Sequence, residues 1–275
     1  MKLNESKFEY ISHKLNKKNV NQINFQSLPF HNHFFTYTTS NQTSISQSSS
    51  VRDLGIFIDE KLSWDVQIHT VTKKAKQACA WILSVFYTRD QVTMLTLFNS
   101  IVRCKLEYAN VIWSPYQIKD INKIESIQRY FTYKIHGTNG LNYWERLRHL
   151  NILSLQRRRE RSIILYLWKV KNNIYPNDLN MTFKVNVRNN SIKAVLGALP
   201  KAKGRVLTVY ENSFKINSAK LWNVLPPELT YINSFNAFKL GLDQFLNKVP
   251  DEPPLFGYPK KSNNSLTNQC LFLNS

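Results

Sequence analysis

Residues 51–64, VRDLGIFIDEKLSW, decide how the chain reads, because the spacing of apolar residues changes where they end. Within them Leu54, Ile56 and Ile58 alternate with Asp53, Gly55, Phe57 and Asp59, which predicts one extended strand with two unlike faces. From about Asp65 to Phe86 the period becomes helical. Ile68, Val71, Ala75, Ala78, Ile82 and Val85 recur at steps of three and four, while Lys73, Lys74, Lys76 and Gln77 lie mostly off that stripe. A strand feeds a basic amphipathic helix.

The helical pattern continues downstream. A second helix is expected from about Gln91 to Tyr108, with Val92, Leu95, Phe98, Val102 and Leu106 inward, ending before Pro115. A third runs from about Ile118 to Ile135 on Ile121, Ile124, Ile127 or Gln128, Phe131 and Ile135, and His136-Gly137 closes it. Past Gly140 a short helix carries Leu147 and Leu150, and a longer one starts with Ser154 as its cap. Residues 175–212 read as basic loops with room for short strands. A last helix over Ser234–Leu246 aligns Phe235, Phe238, Leu242 and Phe245, and the stretch after Pro250 reads as irregular. Upstream, KFEYIS around Phe8 and FFTYTTS around Phe35 suit an antiparallel strand pair, with SNQTSISQSSS (40–50) as a flexible loop. The fold class is α+β, mostly α.

Composition narrows the partners. In 275 residues, 37 Lys and Arg face 18 Asp and Glu, a formal charge of +19, while 43% hydrophobic content supplies real cores. That excess favours a polyanion through counterion release, nucleic acid first, although a charge excess also serves solubility. The opening MKLNESKFEYISHK has no apolar core of a signal peptide, and the apolar run IILYLWKV is far shorter than the ~20 residues that span a bilayer. An intracellular protein of cytoplasm or nucleus, with no membrane, is therefore expected. Cys79, Cys104 and Cys270 are widely spaced and odd in number, which suits reduced thiols, and no C-x-x-C pair is present for zinc. His31-Asn32-His33 has no Cys or carboxylate company at metal spacing, and neither a nucleophile elbow nor a Gly-rich phosphate loop occurs.

Taken in order, several segments resemble blocks of the reverse transcriptases of non-LTR retrotransposons, in the jockey-like branch. They are VRDLGIFIDEKLSW, NSIVRCKLEYANVIWSPY (99–116), INKIESIQRYFTYKI (121–135), YWERLRHLNILSLQRRRERSIILYLWKV (143–170), SFKINSAKLWNVLPPEL (213–229) and SFNAFKLGLDQFL (234–246). LNESKFEYISH near the start is similar to the segment that follows the family's catalytic motif. The resemblance covers nearly the whole chain. It implies the end of a palm over 1–64, a thumb-like helical bundle over 65–136, a C-terminal helical and loop domain over 137–249, and a tail over 250–275.

The same resemblance marks what is missing. The family performs RNA-directed DNA polymerisation with paired aspartates that hold two Mg2+ ions, and no Asp-Asp pair occurs in this sequence. Asp53 and Asp59 would stand roughly 20 Å apart on one extended strand at ~3.3 Å per residue, so they do not replace it. Asp53 is expected to order a turn or strand end instead. The resemblance implies a truncated reverse transcriptase that binds a template-primer duplex of RNA and DNA without catalysing by itself and needs no cofactor of its own. The open alternatives are an inert decayed copy, and a retained module that binds nucleic acid or a partner such as an intact reverse transcriptase.

Candidate contacts follow from charge and position. Lys73, Lys74 and Lys76 on the first helix, with Arg129 and Lys134 on the third, suit phosphate contacts or equally a solvated helix face. Arg157, Arg158 and Arg159, in QRRRER, sit near a helix start, where the macrodipole disfavours cations, and Arg157 and Arg161 are like charges at i and i+4. A nearby anion must offset both effects. It is either a bound nucleic acid or an internal network using Glu160 or Glu145. Trp64, Trp113, Trp168 and Trp222 have apolar neighbours and read as core rather than as stacking platforms.

Overall fold

Two consecutive residues at positive φ, Leu54 at 44° and Gly55 at 86°, fold VRDLGIFID back on itself. The segment is a hairpin, β3 (Ser50–Asp53) antiparallel to β4 (Ile56–Asp59), and not one strand. Positive φ at both central positions is the geometry of the type I′ turn, whose twist matches its strands. Glycine takes the second position freely, and Leu54 takes the first with its side chain exposed. The alternation that predicts a single strand fails because turn chemistry overrides it at Leu54.

The computed structural model describes residues 9–11, 38, 44–188, 190–196, 211–253 and 264–273. These divide between two units, residues 1–71 and 72–275. In the first, β1 (Glu9–Tyr10) pairs in parallel with β2 (Ser46–Gln47), inside the stretch expected to be loop. The expected partner FFTYTTS lies outside the described residues apart from Thr38, which bridges to Ser44. Asp59, not Asp53, orders the exit from the hairpin. Its carboxylate accepts the backbone N–H groups of Lys61, Ser63 and Trp64, each at 3.0 Å, and the Ser63 hydroxyl at 3.1 Å. That bracing holds Leu62 and Trp64 at positive φ and aims the chain into α1 (Asp65–Val85), the helix within which the first unit ends. On α1 the predicted stripe is buried from Ile68 to Ile82, and only Val85, at the open end, is exposed.

In the second unit the helix expected over 91–108 is α2 (Gln91–Leu97), a π-helical segment Phe98–Arg103, and α3 (Cys104–Glu107). Phe98, Val102 and Leu106 are buried as expected, the π turn keeping their four-residue steps on one face; Met94 continues that face, and Val92, about 120° round α2 from Phe98, is exposed. Ala109 at φ 50° separates α3 from α4 (Asn110–Trp113), which stops before Pro115. α5 (Ile118–Thr132) buries every expected position, and Phe131 packs against Phe98 with ring centroids 4.9 Å apart. Gly137 follows at φ 80°. α6 (Tyr143–His149) opens with a capping box, in which Asn142 accepts from the backbone of Trp144 and Glu145 and the Glu145 carboxylate accepts from Asn142 N.

α7 (Leu155–Lys171) begins at the expected cap, the Ser154 hydroxyl accepting from Arg157 N at 3.0 Å. Its far end packs into the largest apolar core, with a hairpin of β5 (Thr182–Asn186) and β6 (Ser191–Val195), then α8 (Phe214–Asn223), α9 (Pro227–Thr230) and α10 (Phe235–Lys248). Phe238 sits between two indoles at its centre, 5.7 Å from Trp168 and 6.0 Å from Trp222. Trp113, Trp168 and Trp222 are fully buried, as expected, while Trp64 is only half-buried. The end of the chain is not all irregular: α11 (Leu266–Leu273) buries Leu266 and Cys270 in the same core. Within the unit of residues 72–275, buried Gln128 of α5 donates to Tyr143 Oη and to Leu153 O. The fold is α+β and mostly α, and among the described residues no helix is long and apolar enough to cross a membrane.

Candidate nucleic-acid interface

Helices α1 and α5 leave a groove between them, a cavity of 440 Å³ lined by Lys76, Cys79 and Ala80 from one and Ser126, Ile127 and Tyr130 from the other. Its charge has a simple origin. No Asp or Glu occurs between Asp65 and Asp90, so the exposed side of α1 is Lys73, Lys74, Lys76 and Gln77 without a carboxylate. On α5 the two acidic residues, Asp120 and Glu125, are buried, and the exposed side is Lys119, Asn122, Lys123, Arg129 and Tyr130, with Tyr133 and Lys134 exposed just past its end. Among the described residues Lys73, Lys74, Lys76, Lys123 and Lys134 have no ion-pair partner. Lys134 instead lies over two rings, 5.6 Å from Tyr130 and 5.5 Å from Tyr133.

Helical spacing sorts the expected residues. Lys73 and Lys76 are three apart and share a face of α1, Lys123 and Tyr130, seven apart, share a face of α5, and Lys134 follows beyond the end of α5 against the Tyr130 ring. Lys74 stands about 100° round the helix from Lys73, outside that face. Arg129 turns towards α6, its guanidinium 4.8 Å from the Tyr143 ring. Of the expected residues the groove lining holds Lys76, with Lys73 one turn away on the same face of α1 and Lys134 against the ring of Tyr130; Lys74 and Arg129 stand apart, and Tyr130 in the lining and Lys123 two turns before it on α5 are residues that sequence reasoning missed. Their signal lies in positions i and i+7 opposite the isoleucine stripe. At the floor of the groove, burial pushes the Cys79 thiol up to about 12, so it lines the groove as an apolar group and not as a nucleophile.

The arginine run has another fate. Arg157 has 0% exposed side chain, and its Nη2 donates to Pro250 O at 2.9 Å and Asn264 O at 3.0 Å. Its Nε lies 3.6 Å from Glu160 and 3.7 Å from Asp251. Arg158 forms a two-bond pair with Glu107 of α3, and Arg161 one with Asp243 of α10. Arg159 is 3% exposed. Arg157 and Arg159 are thus out of reach of the backbone phosphates of a duplex, and Arg158 is already matched by a carboxylate. The anion that the cations at this helix start require is internal: Asp251 accepts from Ser154 N and Oγ, and Glu125 accepts from Leu155 N at 3.1 Å and Gln156 N at 3.2 Å. Glu145 is spent on its own helix cap. Burial raises the Glu125 and Glu160 carboxyls above the usual range and lowers the Arg159 guanidinium.

Nothing in the described residues fits a two-metal centre. Asp53 and Asp59 stand three ladder steps apart on paired strands, about 10 Å against the ~4 Å that separates two catalytic ions. The Asp59 oxygens are also committed to the loop, and no group of three His, Cys, Asp or Glu side chains gathers among the described residues. The His31-Asn32-His33 triplet lies outside them.

No protein-family model and no solved structure matches the chain. An uncharacterized protein of Caenorhabditis elegans is 24% identical over 146 residues, which cover 52% of this chain and 72% of that protein.

Proposed function

We propose that the chain is the nucleic-acid-gripping part of a reverse transcriptase of the non-LTR retrotransposon kind, holding a template-primer duplex against α1 and α5. The observation that carries this reading is the carboxylate-free groove, with Lys76 and Tyr130 in its lining and exposed Lys73 and Lys123 on the same faces of α1 and α5. Unpaired lysines neutralise phosphates and release counterions, which gives affinity without sequence preference. Tyr130 adds a ring face on which a frayed base stacks. The resemblance of the sequence blocks supplies the family. The missing Asp-Asp pair limits the proposed role to positioning, and among the described residues no group of three His, Cys, Asp or Glu side chains gathers to hold the two ions that align the reacting oxygens.

The test is fluorescence anisotropy of a short RNA–DNA hybrid titrated with the chain at several salt concentrations. Binding should weaken steeply with salt, and the Lys73→Ala/Lys76→Ala/Lys123→Ala variant should flatten the logarithmic slope by about 0.9 for each phosphate that is no longer neutralised. A folded chain with no salt-dependent binding would return the reading to an inert copy. Primer extension with Mg2+ and deoxynucleotides should give no product, and processive product would refute the division between grip and chemistry.

A further inference from the structure

Arg159 presents the most unusual electrostatics in the molecule. It is buried, its Nη2 has no hydrogen-bond partner, and it makes no ion pair among the described residues. The carboxylates that act on it most through space are Glu125 and Glu160, followed by Glu107, which is held by Arg158. The first two are also occupied elsewhere, Glu125 by Tyr143 Oη and two backbone N–H groups, Glu160 by Leu266 N at 3.0 Å and Arg157. One turn away, Gln156 is buried with an Oε1 that has no donor. A buried guanidinium nitrogen and a buried carbonyl oxygen without partners are both costly, and together they point to a ligand.

Both side chains line one polar cavity of about 200 Å³, between the α4–α5 connection, α7 and α8, with Ser114, Asn217, Lys220 and Glu211 also in its walls. At ~30 Å³ per water the space exceeds that of a single solvent molecule and admits a tetrahedral oxyanion. The walls offer two kinds of group. Arg159, Lys220, Asn217 and Ser114 present donors, while Gln156 Oε1 and the Glu211 carboxylate present acceptors. A carboxylate or a sulfate satisfies only the donors. A phosphate group that retains one proton satisfies both, its bare oxygens on Arg159 and Lys220 and its P–OH on Gln156.

We infer that this cavity is a binding site for a singly protonated phosphate group, either the free ion or the end of a phosphomonoester. The site is separate from the α1–α5 groove and does not rest on the polymerase reading. Isothermal titration of the full chain at about pH 6, near the second phosphate pKa, compares inorganic phosphate, ribose 5-phosphate and sulfate. Saturable binding of inorganic phosphate alone assigns the free ion, and equal or tighter binding of ribose 5-phosphate assigns the ester. Either should be at least about tenfold tighter than sulfate; binding of the ester should weaken as pH rises above about 6, where it loses its proton, whereas the free ion keeps a proton through neutral pH and should still bind there. Lys220 is exposed, so Lys220→Ala should keep its circular dichroism and weaken binding about tenfold. Gln156→Leu should erase the preference for phosphate over sulfate. Equal affinity for the two anions in the unaltered chain, or no saturable binding of phosphate, overturns the assignment whether or not Gln156→Leu folds.

Discussion

The lysines on α1 and α5 and the arginines at the start of α7 are both dense basic clusters, and they differ in what lies opposite them. Lys73, Lys76 and Lys123 face solvent with no carboxylate in range, whereas Arg157, Arg158 and Arg161 each meet one, from Glu160 and Asp251, Glu107 and Asp243. Formal charge is the same in both places. Only in the first does it reach outward, so net charge measures affinity for a polyanion only after internally matched cations are set aside. The side-chain chemistry agrees: Arg makes the fixed two-bond forks, and Lys supplies mobile point charges.

The strongest way to break this contrast is Arg157→Ala. It leaves Asp251 and Glu160 without their shared cation and two carbonyls without a donor, and should lower unfolding free energy by about 3–5 kcal/mol in urea denaturation. A loss below about 1 kcal/mol, with duplex binding abolished, would make Arg157 a phosphate ligand after all. Next comes Lys73→Ala/Lys76→Ala/Lys123→Ala, in which thermal stability should stay within about 0.5 kcal/mol per site while the salt slope of hybrid binding falls. An unfolded variant would erase the contrast from the other side.

The half-exposed pairs should fall between. Glu107→Gln or Asp243→Asn removes a forked surface bond and should cost about 1 kcal/mol or less. A value as large as that of Arg157→Ala would show that burial does not set the difference. The smallest effect concerns pH. Glu125 is raised above its ordinary 4.5 by burial, so between 4.5 and its folded value the unfolded chain ionises first. The stability that comes from keeping Glu125 neutral is whole below 4.5 and is lost as pH rises through the folded value. Urea midpoints should show that decline, and Glu125→Gln should reduce it. An unchanged profile would place the titration elsewhere.

Periodicity makes much of the helical framework legible. The stripes of α1 and α5 can be read to within a residue or two because one buried face repeats over several turns, and Ser154 is identifiable as a cap because its chemistry is local. Three things stay hidden for physical reasons. The turn at Leu54-Gly55 reads as strand because an alternating pattern does not say where the chain reverses. The change from α to π pitch at Phe98 is a change of hydrogen bonding that composition does not encode. The partners of the arginines lie 93 and 107 residues further on for Arg157 and 82 for Arg161, beyond any window of spacing. One clue is nevertheless present: Glu125 and Gln128 occupy core positions of α5, and a polar residue inside an apolar stripe announces a buried network.

The bond from Arg157 to Asn264 also sets an order of events. A ribosome adding roughly 5–20 residues each second finishes α7 several seconds before Asn264 exists, so the guanidinium emerges with its acceptors still unmade. Until then the start of α7 must remain hydrated. The closing clamp comes from Pro250 and Asn264, 93 and 107 residues further on, so the interior at the start of α7 is completed only after a long stretch of later chain has been made.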